Sequence, residues 1–152
     1  MAQTAIRLAS IDDLAALVEL LADDDLGKQR EQLATPPLPA YQHAFRAITE
    51  DPNQRLYVLD IDGRVAGCLQ LSLIPGLSRT GMWRGQIESV RVHRDFRGGG
   101  FGRQLFEHAI TQAQEAGCGL VQLTTDKSRP DALRFYQSLG FAASHEGMKL
   151  AL

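Results

Sequence analysis

Apolar positions along the chain change period several times. In SIDDLAALVELLAD they fall at Ile11, Leu14, Leu17, Val18 and Leu21, which make one face of a helix. Ser10 stands where a cap belongs, and Asp12 and Asp13 occupy the first turn, where negative charge suits the helix dipole. TAIRLAS ahead of it reads as a short strand. ATPPLPA breaks the chain, and YQHAFRAITED predicts a second helix. RLYVLDI and RVAGCLQLSLI are strand-like runs on either side of Asp62-Gly63, a strong hairpin signal. PGLSRTGMWR is a loop and GQIESVRV a strand. In GRQLFEHAITQAQEAG, helical spacing relates Phe101, Leu105, Ala109, Ile110 and Ala113, and Gly117 ends the helix. GLVQLTT predicts a strand and SRPDALRFYQSLG a short helix. There Ser128 with Asp131 resembles a capping box, Pro130 lies in the first turn and Gly140 closes the end. FAASHEGMKLAL supplies one or two further strands.

Strands alternate with helices only in the second half, so the order predicts a mixed sheet with helices on both faces. A length of 152 residues suits one domain, and 44% apolar and 22% charged residues are ordinary for a soluble globular protein. No run approaches the ~18 apolar residues of a membrane span. MAQTAIRLASIDD lacks the basic-then-apolar pattern of a signal peptide, so a cytoplasmic location is expected. Cys68 and Cys118, fifty residues apart and in no CxxC, read as buried thiols rather than as a disulfide or a nucleophile.

The net charge of −2 hides an asymmetry. Residues 1–62 hold five Lys/Arg against eleven Asp/Glu, including the run Asp23-Asp24-Asp25. Residues 79–103 hold six arginines (79, 84, 91, 94, 97 and 103) against Glu88 and Asp95. Such halves can attract a cationic and an anionic partner respectively, although the acidic run by itself reads as a solvated face. Without a basic tail or an aromatic-interleaved basic stripe, no nucleic-acid partner is expected.

RGGGFG, residues 97–102, lies between a strand and the first turn of an amphipathic helix. A helix start exposes unpaired N–H groups and partial positive charge, which suits an anion. Glycines let a phosphate approach the backbone and make positive φ accessible. Arg94, Arg97 and Arg103 add charge nearby. Neither GxGxxG nor a GK[ST] loop is present, so dinucleotide and P-loop readings fail. A tight strand–helix turn without a ligand is the competing explanation.

Arg97-Gly98-Gly99-Gly100-Phe101-Gly102 resembles the R/Q-x-x-G-x-G/A motif of the GNAT superfamily of N-acetyltransferases. IESVRVHRDFRGGGFG is similar to that family's fourth strand, loop and third helix. GCGLVQLTTDKSRPDALRFYQSLGF is similar to its fifth strand and fourth helix, with the FYxxxGF ending at Phe135-Tyr136 and Gly140-Phe141. IRLASIDDLAALVELL resembles its opening strand and helix. The resemblance implies a single α/β domain over 1–152, with a mixed, mostly antiparallel sheet of about six to seven strands flanked by about four helices. It departs from the family where many members carry Asn before the fourth helix, since that turn reads Ser128-Arg129-Pro130-Asp131.

The activity implied is acetyl transfer from acetyl-CoA to a primary amine of a small-molecule or peptide acceptor, in a ternary complex. The resemblance places the pyrophosphate on backbone N–H groups of Gly98, Gly99, Gly100, Phe101, Gly102 and Arg103, with Arg97 beside them. It lays pantetheine along Val90, Arg91 and Val92 like an added strand, a role open to any backbone with free amides. Tyr136 corresponds to the family's proton donor to the departing thiolate; packing on the face of Leu133 and Leu139 is its simpler explanation.

An alkylammonium with a pKa of ~10 needs a base at neutral pH, and Glu88 is the best candidate. Strand alternation would put Glu88, Val90 and Val92 on one face, and a carboxylate in apolar surroundings suits a base, directly or through a water. A salt bridge to a nearby arginine is the alternative. Glu nine residues before the motif arginine also resembles the glucosamine-6-phosphate acetyltransferase branch. His93, His108 and His145 suggest no metal or triad; His108 is expected at the surface, and His145-Glu146 can border the acceptor site. No metal is expected, no membrane, and a homodimer is left open. A longer acyl-CoA donor and a silent acetyl-CoA sensor are the alternative functions. The acidic first half favours a small cationic amine.

Overall fold

The alternating runs at 54–61 and 64–74 fold as a hairpin. Strands β2 (Gln54–Ile61) and β3 (Arg64–Ile74) join through Asp62 and Gly63, which both take positive φ, 51° and 83°. That pair of conformations matches the twist of the flanking strands, which is why Asp-Gly is favoured there. In the computed structural model, which describes residues 2–152, β1 (Thr4–Leu8) pairs antiparallel with β2 and extends the hairpin on one side. On the other side β4 (Arg84–Val92) pairs antiparallel with β3, and β5 (Leu120–Gln122) pairs parallel with β4. The sheet order is β1-β2-β3-β4-β5.

Alternation sorts side chains into two cores. Leu59, Leu69, Leu71 and Ile87 face α5 (Phe101–Glu115), burying Leu105, Phe106 and Ala109. Val58 and Cys68 face α1 (Leu14–Ala22) and α3 (Pro39–Glu50), with Leu14, Leu17, Val18, Leu20 and Phe45. The helix α6 (Pro130–Ser138) joins the α5 side. Two four-residue segments, α2 (Gly27–Arg30) and α4 (Ser78–Gly81), complete the helices; Arg79 and Thr80 of α4 are left-handed, so it is a turn. Among the described residues no helix is long and apolar enough to cross a membrane.

Three expectations change. Among the described residues the sheet has five strands rather than six to seven, because no part of 141–152 forms a strand. Ser128 does not cap α6. Its N–H and hydroxyl both donate to Asp126 Oδ1 (2.8 and 2.7 Å), a nearer carboxylate than Asp131. The helix expected after Ser10 is capped there as expected but opens as a 3-10 turn, Ile11–Asp13, where Asp13 Oδ2 accepts from the Ser10 N–H at 2.7 Å and also pairs with Arg7 at 2.8 Å.

Candidate active site

Strand β4 is irregular where the sequence promised alternation. Its register against β3 runs from Gln70↔Glu88 to Cys68↔Arg91, so Leu69 opposes both Ser89 and Val90. Ser89 sits at φ 56°, a conformation non-glycine residues seldom hold, and its carbonyl accepts from the Cys68 thiol at 3.3 Å. Such a bulge bends a strand and ends regular pairing. Pairing with β5 is accordingly confined to Arg84–Gln86 against Leu120–Gln122. Among the described residues no strand pairs with the β5 side of β4 beyond Gln86, which leaves a gap in the sheet there, called the slot below.

The bulge also reverses the facing of Glu88. An extra residue flips every side chain beyond it. Val90 and Val92 pack into the α5 core, whereas exposed Glu88 shares the α1 face with its cross-strand neighbour Gln70. The expectation of one common face for Glu88, Val90 and Val92 is therefore corrected. Among the described residues no ion pair engages Glu88, and its neighbours are polar: Gln70 and Ser72 both meet Gln54 Oε1 (3.1 and 2.8 Å), and Gln122 donates to Gln86 at 2.7 Å.

Arg91 pairs across to Cys68, and the His93 N–H reaches Ala66 O at 2.7 Å, so Val90 and Val92, which alternate with them, turn their carbonyls to the slot. Val90 O accepts from Arg91 Nη1 (2.9 Å) and Val92 O from Arg97 Nε (3.1 Å).

The glycines behind the strand have separable roles. Gly98 and Gly100 hold φ of 84° and 80°, and a Cβ on either would meet nothing within 4 Å, so conformation requires them and the space beside them is open. At Gly99 a Cβ would lie 2.9 Å from the Phe101 ring. Gly100 caps α5. Among the described residues, no N–H from Gly98 to Arg103 finds an acceptor within the protein; the first helical bond is Gln104 N–H to Gly100 O at 3.2 Å. A row of free donors at the start of a fifteen-residue helix is an anion cradle, and it fits a pyrophosphate. Arg103 is turned toward Ser138 Oγ (3.1 Å) and the Phe135 ring.

Tyr136 stands on α6 with its ring in a cluster of Phe106, Phe135 and Phe141, at centroid distances of 5.5 to 6.3 Å. Its hydroxyl has no hydrogen-bond partner among the described residues. Burial raises its pKa while Arg129 and Arg91 pull the other way, so the phenol keeps its proton at neutral pH. Packing of the ring and availability of the hydroxyl thus coexist.

Two residues of the acidic run, Asp23 and Asp24, meet arginines, while Asp25 is exposed. Asp24 Oδ2 lies 3.0 Å from Arg129 Nη2 and 3.4 Å from Arg91 Nε, and Oδ1 accepts from the Gly27 N–H. Burial would raise the Asp24 carboxyl, but the Gly27 amide and the two guanidinium groups outweigh it and hold the pKa below the ordinary 3.8. Asp23 lies 3.8 Å from Arg97 and 3.9 Å from Arg94. Arg129, at the turn where the family carries Asn, therefore ties that turn to the α1–α2 segment. The signal was present as the charge asymmetry, whose two halves meet each other.

The remaining groups stay outside this cluster. His108 is half-buried rather than on the surface, edge-on to Tyr57 at 4.7 Å. Both cysteines are free, and burial pushes the Cys68 thiol up to about 12. His145 is exposed beside Ser144.

The parallel strands β4 and β5 pair over three residues only, and the start of α5 offers free N–H donors. The sequence pattern of the Acetyltransferase (GNAT) family matches residues 14–141, and the chain belongs to that family. It is 34% identical over 106 residues to the aminoalkylphosphonate N-acetyltransferase of Salmonella typhimurium, covering 70% of this chain and 68% of that protein. It is 36% identical over 91 residues to the glucosamine 6-phosphate N-acetyltransferase of Trypanosoma brucei brucei, covering 59% of each. A solved structure from Bacillus halodurans C-125, described as a transcriptional regulator, superposes with a TM-score of 0.96 at 48% identity, over 99% of this chain and 100% of that one. The chain is an N-acetyltransferase.

Proposed function

We propose that the protein moves an acetyl group from acetyl-CoA to the primary amine of a small acceptor, by direct attack with both substrates bound. The observation that carries this is the run of unpaired N–H groups from Gly98 to Arg103, set behind the unpartnered half of β4. Those donors hold the pyrophosphate, and the backbone of Val90, Arg91 and Val92 takes the pantetheine arm as an added strand. Acetyl-CoA supplies the activated acetyl group. Glu88, on the polar α1 face, takes the proton from the acceptor's ammonium, directly or through water. Tyr136 donates from its free hydroxyl to the departing thiolate.

The acceptor is narrowed by what Asp23 and Asp24 do. Their carboxylates are engaged by arginines, so they no longer argue for a cationic amine. Two relatives named above act on amines that carry a phosphonate or a phosphate, which supports an acceptor joining a primary amine to an oxyanion. Release of free thiol from acetyl-CoA tests this, with aminoalkylphosphonate, glucosamine 6-phosphate, spermidine and an aminoglycoside as acceptors. Thiol release with a phosphorylated or phosphonylated amine, above the rate without amine, is expected. Acetyl-CoA binding without release for any amine would make the protein a silent sensor. Faster release from a longer acyl-CoA would reassign the donor.

A further inference from the structure

The α1 face of the sheet changes character part way along its strands. Leu56, Val58 and Cys68 belong to the apolar cluster under α1 and α3. Past them the same face turns polar on four strands at once. Gln54 of β2, Ser72 of β3, Gln86 of β4 and Gln122 of β5 are register partners in turn, so they form one row straight across the sheet. Their chain neighbours Leu71, Ile87 and Val121 pack into the α5 core, and alternation puts the row on the opposite face. Gln70 and Glu88 form the next cross-strand pair on that face.

Hydrogen bonds hold the row in place and leave much of it unspent. Gln54 Oε1 accepts from Gln70 Nε2 (3.1 Å) and from Ser72 Oγ (2.8 Å), and Gln86 Oε1 accepts from Gln122 Nε2 (2.7 Å). Among the described residues the amide nitrogens of Gln54 and Gln86 donate to nothing, and the amide oxygens of Gln70 and Gln122 accept nothing. No hydrogen bond among the described residues ties these side chains to α1 or α3. Ser72 is buried and the four glutamines are half-buried. Polar groups so placed take their remaining partners from a ligand or from water.

We propose that this row reads the acceptor, and that the acceptor is a polyhydroxylated primary amine, an amino sugar or amino polyol. The inference rests on the reading of Glu88 as the base. Gln86 stands two residues from Glu88, about 7 Å at the rise of a strand, and Gln70 is directly opposite Glu88. An amine at Glu88 therefore sets the hydroxyls of a sugar-sized acceptor over the row. A hydroxyl both donates and accepts, which suits amide nitrogens and amide oxygens side by side. An oxyanion only accepts, and the row holds no cation to favour it; a phosphate on the same acceptor lies outside the row.

Rates of thiol release from acetyl-CoA test this with two acceptors that share an amine and an oxyanion and differ in hydroxyls, glucosamine 6-phosphate and aminoethylphosphonate. kcat/KM for the sugar should exceed that for the phosphonate by about 10-fold or more, the effect of two hydrogen bonds to hydroxyls. Gln86→Leu combined with Gln122→Leu removes both partners of one bond at similar volume and orphans neither amide. The double variant should lose that preference, through KM rather than kcat, because hydroxyls away from the reacting carbon are held alike in the ground and transition states. Equal or reversed kcat/KM values in the unaltered protein, or a preference that survives the double variant, would overturn the row and leave acetyl transfer standing. Thiol release with no amine at all would overturn the acetyl-transfer reading and the row with it. The comparison in the unaltered protein keeps the test open should the double variant fail to fold.

Discussion

Two regions beside the slot handle charge in opposite ways. From Gly98 to Arg103 the chain offers backbone donors that nothing in the protein consumes. At Asp24 it offers a carboxylate held by Arg91 and Arg129, and at Asp23 one that lies within 4 Å of Arg94 and Arg97. These carboxylates offset part of the charge of the arginines near the slot, and the anion site proposed above rests on main chain. Side-chain charge there serves mostly to fasten the α1–α2 segment to β4 and to the turn before α6.

The largest effect expected comes from Glu88, a carboxylate that belongs to neither region and, among the described residues, makes no ion pair. Glu88→Gln should lower kcat/KM by roughly 10²–10⁴-fold near neutral pH, the range of general-base losses. The loss should shrink as pH approaches the acceptor's pKa of ~10, where the amine is already neutral. Acetyl-CoA affinity should stay as it is. A pH profile unchanged by the substitution would remove Glu88 from the chemistry. Calorimetry on Gly100→Asp addresses the backbone region itself. Asp tolerates left-handed φ better than most residues, so the variant chiefly places negative charge in the cradle, and acetyl-CoA affinity should fall by about 10²-fold, equivalent to losing one or two charge-assisted hydrogen bonds. A smaller loss than for Arg97→Gln would invert the ranking of main chain over arginine.

Tyr136→Phe keeps the ring among Phe106, Phe135 and Phe141 and removes only the hydroxyl. Turnover should drop by roughly 10-fold or more, at nearly unchanged acetyl-CoA affinity and melting temperature. Unchanged kcat would leave the residue a packing group. The smallest effect belongs to the acidic region. Asp24→Asn should lower Tm by about 2–8 °C at neutral pH, for a loss of about 1–2 kcal/mol from a partly exposed ion pair. A carboxyl whose folded pKa is depressed stabilises the fold fully above its ordinary 3.8 and loses that contribution as pH falls through the lower value. The Tm gap between the two proteins should therefore close in acid; a gap that persists there would mean that Asp24 acts through packing.

What could be read from sequence follows the same division. A stretch such as RGGGFG announces itself because backbone work demands glycine, and φ of 84° and 80° at Gly98 and Gly100 supply the reason. The hairpin at Asp62-Gly63 and the apolar face of α5 were legible for similar local causes. The Asp24–Arg129 pair joins residues 105 apart, and only topology brings them together. The bulge at Ser89 left no mark either, since no glycine occupies its positive φ. Its consequence was a wrong facing for Glu88. The strands expected in 141–152 are not formed, because the local pattern does not report whether a neighbouring strand is there to pair with.

The claim that main chain holds the cofactor's phosphates is met most directly by titration calorimetry of the unaltered protein with acetyl-CoA and with acetyl-pantetheine, which lacks the pyrophosphate and nucleotide. Two or more charge-assisted hydrogen bonds from the cradle correspond to a preference of about 10²-fold or more. Acetyl-CoA binding tighter by that factor is the result predicted. Equal affinity for the two would contradict it.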